Sequence, residues 1–374
     1  MRRMVSPPGD KSGGSCRVLG RNRKSRQTVG IGQRFLMQPL KMRLLLLLAT
    51  LVPVALPGET YQITPDHYYR TFAHTNAVLQ TIKSGDVIVT KTLDSGGQDY
   101  RGEHRSEPGN PLTGPFYVDG AAPGDALVVK LRKVRLNRNW GYTGYRLGLF
   151  ALTPESIETT YPNHYKADLV RKDRDNIVPW DIDVEHQTVR LREPVSNKIK
   201  LSFPARPMLG CIGVAAPGDF VPTSGPAGSY GGNLDYNEIG EGATVILPVY
   251  HPGALLFLGD GHALMGDGEA TGTGVETSMD VEFSVDVIKN SHVTGPRVET
   301  DEFLISVGAQ PEFASSLDRG LQMATADMVQ WLVTDYQLEP WAAHQLIGVV
   351  GKYDVVTVAG SMALKVPRKY LPMK

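Results

Sequence analysis

Ala126-Leu-Val-Val-Lys-Leu-Arg-Lys-Val-Arg-Leu136 alternates apolar and polar side chains over most of its length. A period of two sends one set of side chains to a buried face and the other to solvent, as in a half-buried β-strand. Asp86-Val-Ile-Val-Thr-Lys-Thr-Leu93 and Asp280-Val-Glu-Phe-Ser-Val-Asp-Val-Ile288 read the same way. Shorter runs lie at Phe116–Asp119, Thr188–Arg192, Ile199–Phe203, Ala243–Tyr250 and Ala254–Leu258. Gly, Pro and Asp separate them, which is the pattern of a β-sandwich or barrel. Only the C-terminal part has helical spacing. Leu317, Leu321, Met328, Leu332 and Val333 recur at near-helical intervals between Ser315 and Asp335, and Pro340 opens a second helix to about Val350. Asp354-Val-Val-Thr-Val-Ala359 then returns to strand. The expected fold is mainly β, with a smaller C-terminal α+β part. Its expected divisions are a leader over 1–58, an N-terminal β domain over 59–200, and a β catalytic part with C-terminal helices over 201–374.

The formal net charge of zero conceals an asymmetry. Residues 1–43 hold eleven Lys/Arg and one acid, so the remainder has 28 basic and 38 acidic residues. An acidic body has no basic stripe for nucleic acid. Lys41-Met42-Arg43 precedes the apolar run Leu44–Leu56 and Pro57-Gly58, the shape of a secretory signal. The run is short for a membrane span. The expectation is therefore a secreted or periplasmic protein with a signal-like segment over 42–58, a true start at Met42, and no stable membrane insertion after signal removal. A homo-oligomer is also expected. Cys16 lies in the leader and Cys211 in the body, which leaves no internal disulfide framework. Cys211, in Gly210-Cys-Ile-Gly213, reads as a small buried hydrophobe rather than a nucleophile. No P-loop, dinucleotide fingerprint or HExxH occurs.

Four segments carry dense polar residues among glycines: Thr92–Asp99, Glu107–Asp125, Gly231–Asp235 and Leu258–Glu276. In the fourth, Asp260 and His262 are two apart, so on extended backbone they share a face and offer an oxygen and a nitrogen to a divalent metal such as Zn²⁺. Asp267 and Glu269 repeat the spacing. Such a metal would polarise an amide carbonyl, and a nearby carboxylate would move the proton to the leaving nitrogen. The plainer reading is that acids among glycines form Asx-type turns. His104 is an auxiliary candidate, and Gln98, Asn110, Thr113 and Asn233 are candidate substrate contacts.

Asn110–Asp125, Pro207–Ala215, Gly231–Asp235 and Gly253–Glu269 resemble, in order, the acetamidase/formamidase family, over roughly residues 62–365. The resemblance implies hydrolysis of short linear amides to a carboxylate and ammonia. It implies Asp94, Asp260 and His262 as metal ligands, with Glu269, Glu276 and Asp267 as the acid/base candidates. Ala122 stands where a glutamate is common, and Cys211 where an apolar residue is usual. With the signal-like segment, these departures leave room for a substrate other than formamide or acetamide. Two other readings fit the same residues: a secreted β protein that binds a small polar ligand without turnover, and another C–N or ester hydrolase using the same metal.

Overall fold

The chain is described by a computed structural model covering residues 58–144, 147, 149–156, 177–193, 198, 200–312 and 315–372. The leader, with Cys16 and the signal-like segment up to residue 57, lies outside these residues.

Alternation in the sequence becomes two large sheets. The first has nine strands in the order Thr60–Gln62, Val87–Lys91, Met279–Ile288, Ala126–Leu136, Thr244–Pro248, Arg297–Glu299, Phe303–Gly308, Ser361–Pro367 and Lys352–Thr357. Strand Ala126–Leu136 is its centre, pairing antiparallel with Met279–Ile288 on one side and Thr244–Pro248 on the other. Its alternation slips phase after Leu131: Leu127, Val129 and Leu131 face the core, then Val134 and Leu136 do. The register against Met279–Ile288 shifts at the same place, where Leu131 and Lys133 oppose consecutive residues Phe283 and Glu282. The extra residue, Arg132, is a β-bulge that returns the apolar set to the core.

The second sheet holds the site. Its main path runs Ala227–Gly228, Gly231–Asn233, Met208–Gly213, Leu256–His262, Glu276–Thr277, Trp140–Gly144, Ile177–Asp183, Thr188–Leu191 and Ser202–Pro204. Leu112–Val118 also pairs with Leu256–His262. Both sheets draw strands from either side of residue 200. They share one core, in which Phe116 of the second sheet meets Phe283 of the first edge-on, with ring centroids 5.3 Å apart.

Helix α1 (Leu317–Asp335) starts at Ser316, whose side chain accepts from the Arg319 amide. Its buried stripe of Ala324, Met328, Trp331 and Leu332 covers Ala126, Val128, Ile246 and Leu304 on the outer face of the first sheet. Helix α2 (Pro340–Val350) follows, with proline in its first turn.

The apolar run predicts a strand ending at Leu258, but the strand continues through Gly259-Asp-Gly-His262. Glycine makes this possible. A Cβ on Gly259 would stand 2.8 Å from the Pro111 carbonyl, and one on Gly261 would strike Met279. The strand therefore carries Asp260 and His262 into the buried interior.

Candidate active site

His262 is fully buried, and its register partner across the sheet is Glu276. His262 Nε2 lies 3.1 Å from Glu276 Oε1, 3.6 Å from Asp260 Oδ1 and 3.9 Å from Asp235 Oδ1. Two donor sets converge on it: Asp235, His262 and Glu269, and Asp260, His262 and Glu276, each with donor atoms within 4.8 Å of one another. Asp235, Asp260 and Glu269 all have left-handed backbone, with φ of 44°, 55° and 45°. Each such residue costs on the order of 1–3 kcal/mol and persists only where its surroundings hold it. Gly210 supports the crowding, since a Cβ there would run into the carboxylates of Asp235 and Asp260.

The polar atoms in this centre lack partners. Asp235 Oδ1, Asp260 Oδ1, Glu276 Oε2 and both His262 nitrogens are buried without a hydrogen bond. The 3.1 Å contact of His262 with Glu276 therefore lies outside hydrogen-bond geometry. An unpaired buried polar group costs about 1–3 kcal/mol, more when charged. Burial, then the Asp260 charge, pushes Asp235 up to about 8. Burial also raises Glu276 to about 7 and puts Glu269 well above the usual carboxylate range. For His262, burial opposes the cation, but Glu276 and Asp260 outweigh it and its pKa rises. Four carboxylates around one imidazole, with lone pairs turned inward, are a donor set that fits a divalent cation.

Two asparagines orient these carboxylates. Asn110 Nδ2 donates to Asp260 Oδ2 at 2.9 Å and to Asn233 Oδ1 at 3.1 Å, and Asn233 Nδ2 donates to Asp235 Oδ2. Both asparagine amides are thus engaged with site carboxylates. Cys211 Sγ sits 2.8 Å from Asn233 Oδ1. Burial, followed by the Asp260 and Asp235 charges, raises its pKa well above normal, so the thiol stays neutral.

The remaining candidates sit elsewhere. Asp94 accepts from buried Arg138 at 2.6 Å and from the Gln98 amide at 2.8 Å, so its oxygens are partnered outside the two donor sets. Arg138 stacks on Trp140, 3.7 Å from its ring centroid, and reaches the Glu276 carbonyl at 3.4 Å. The Asp94–Arg138 pair thereby backs the strand that presents Glu276. Gln98 Nε2 contacts His104 Nε2 at 3.0 Å, and Thr113 donates to the Lys91 carbonyl at 3.0 Å. The Asp267 and Glu269 pair comes apart. Asp267 is exposed and accepts from Asn237 at 2.6 Å, whereas Glu269 turns toward Asp235 and His262. Same-face pairing at i, i+2 needs extended backbone, and Gly268 and Glu269 are left-handed. Sequence reasoning passed over two residues. Asp235 ended a quoted glycine-rich segment and was the available signal. Arg138 had no signal beyond its place in a polar turn.

A cavity of about 480 Å³ opens over Asn233, Asp235 and Glu269. A larger one of about 880 Å³, lined by Arg135, Arg206, Glu238 and Glu241, contains none of the five convergent residues. Within it Arg135 pairs with Glu241 and Arg206 with Glu238.

Residues 78–222 and 214–319 match the model of the acetamidase/formamidase family, more than half of the chain. The chain belongs to the acetamidase/formamidase family. Acetamidase of Mycolicibacterium smegmatis is 26% identical over 50% of this chain and 55% of its own. A Schizosaccharomyces pombe protein carrying a formamidase assignment is 24% identical over 56% of this chain and 62% of its own. The chain thus spans less than two thirds of either relative. Among solved structures, a Thermoanaerobacter tengcongensis protein carrying an acetamidase/formamidase assignment is 31% identical, with a TM-score of 0.66 over 83% of this chain and 96% of its own. Acetamidase from Yersinia enterocolitica is 26% identical, with a TM-score of 0.70 over 86% of this chain and 96% of its own. These likenesses agree with the mainly β fold and its small helical C-terminal part.

Proposed function

We propose that the chain hydrolyses the C–N bond of primary amides, releasing a carboxylate and ammonia, with a divalent metal held at His262. One observation carries the reading: unpartnered, buried Asp235, Asp260, Glu276 and His262 atoms converge on a centre whose Asp235 lines a cavity of about 480 Å³. Family membership supports the reaction class. Asp235, Asp260, Glu276 and His262 would hold the metal, with zinc as the proposed ion. When bound, it would supply polarisation of the amide carbonyl and a lowered pKa for water.

The chain's own residues have separable tasks. Asn110 and Asn233 aim the carboxylates of Asp260 and Asp235. Glu269 lines the cavity and is the acid placed to pass a proton to the departing nitrogen. Glu276, beneath it, is turned inward and fixed by the Gly274 amide at 3.1 Å. Metal analysis of purified protein, paired with ammonia release from formamide, acetamide and propionamide before and after chelation, tests the proposal. A stoichiometric ion and chelator-sensitive ammonia release support it, and an unchanged rate in metal-free protein overturns it. Export directed by residues 42–58 and self-association belong to the same proposal; fractionation and light scattering check them.

A further inference from the structure

We infer that the preferred substrate is longer than acetamide, a primary amide whose acyl chain ends in an ammonium or guanidinium group, and that Glu312 selects it. The inference rests on the amidase reading above and concerns the same cavity. Size is the first argument. Acetamide has four heavy atoms and would fill on the order of 120 Å³, at the ~30 Å³ that liquid water occupies per heavy atom. The cavity is about 480 Å³. Roughly three quarters of it would hold only solvent.

Lining chemistry is the second argument. Asp235 and Glu269 form the reacting end. The lining also includes the hydroxyl residues Thr223, Thr357 and Ser361, and exposed Glu312. Among the described residues, no Lys, Arg or His lines the space. An acyl chain ending in a carboxylate would bring its charge to Glu312, while an ammonium would meet its complement there. Near Glu312, Gln310 Nε2 donates to the Ser316 carbonyl at 2.9 Å and to the Gly360 carbonyl at 3.2 Å, which ties Gln310 to the Lys352–Thr357 and Ser361–Pro367 hairpin. Ser315 Oγ donates to the Glu312 carbonyl. Glu312 is exposed, so its charge acts at the mouth rather than on the buried centre.

Four amides test this with metal-loaded enzyme: acetamide, hexanamide, 6-aminohexanamide and adipamic acid. The last three share one chain length and differ in terminal charge. The expected order of kcat/KM is 6-aminohexanamide, hexanamide, adipamic acid, with about fivefold per step, the reach of one exposed charge pair. Acetamide should fall below hexanamide. High salt should compress the charge series. Glu312→Gln should bring the three long amides together through KM, and Glu312→Lys should reverse their order. If acetamide is the best substrate, or if the charge order survives in Glu312→Gln, the inference is overturned while the amidase reading stands. If no amide releases ammonia from folded, metal-loaded protein, the amidase reading falls and this inference with it.

Discussion

Two groups of buried charge in this protein are built on opposite principles. Between α1 and the first sheet, Arg297 grips Asp327 through two hydrogen bonds of 2.8 and 2.9 Å, and Ser306 adds a third at 2.7 Å. The guanidinium lies 4.7 Å from the centre of the Trp331 ring. Both Asp327 oxygens are therefore occupied. Around His262, inward-facing oxygens and nitrogens are left without partners. A satisfied buried pair holds elements together. An unsatisfied cluster is tolerated only where another species completes it, and so marks a place of function.

The largest expected effect separates the two in activity. His262→Ala or Asp260→Asn should lower kcat/KM on a primary amide by more than about 10²-fold, with circular dichroism showing a folded protein. Retained turnover in either variant would place the chemistry elsewhere. Asp327→Ala should do the reverse. It leaves Arg297 buried without its partner and should cost about 3–5 kcal/mol of stability, read by denaturant unfolding. Its activity per folded molecule should stay near wild type.

Asp94→Asn probes the layer between the two types. It weakens the hold on Arg138, which backs the Glu276 strand, and should reduce metal affinity or activity by about 10–100-fold. An unchanged enzyme would make the Asp94–Arg138 pair purely structural.

The pH dependence of metal-free protein sharpens the contrast further. Asp235 is raised from 3.8 to about 8 and Glu276 from 4.5 to about 7, so the folded state binds more protons than the unfolded one between these values. The raised pKa of His262 acts in the same direction. Stability should therefore fall as pH rises from about 4 to about 8. Metal should reduce this loss, because it compensates the ionised carboxylates. A melting temperature of the chelated protein that rises across this window would contradict the arrangement. The smallest effect belongs to Cys211→Ser. The thiol is held neutral and touches Asn233, so activity should change by less than about tenfold.

Much of the fold was legible locally. Alternation in Ala126–Leu136 and Asp280–Ile288 and the helical spacing of Met328 and Leu332 in α1 report interactions between residues close in sequence, which survive without knowledge of the partner strand, whereas Leu317 and Leu321 of the same spacing are exposed. The site was legible in part. Asp260 and His262 do meet, at 3.6 Å, but Asp260 is itself left-handed, so the two-residue rule of extended backbone is not what joins them. The same rule failed for Asp267 and Glu269, where left-handed residues break the parity. Asp94 looked equivalent to the other glycine-flanked acids, and nothing local revealed that Arg138 would claim it.

The sequence by itself determined a β-rich chain, its two late helices and a glycine-flanked Asp/His pair, because each depends on backbone period and turn chemistry within a few residues. Only the tertiary structure decided which acids meet at His262. Glu276 arrives through strand register, Asp235 through the neighbouring strands, and Glu269 through a left-handed turn. Convergence of that kind is set by pairing between distant segments, which local spacing does not encode.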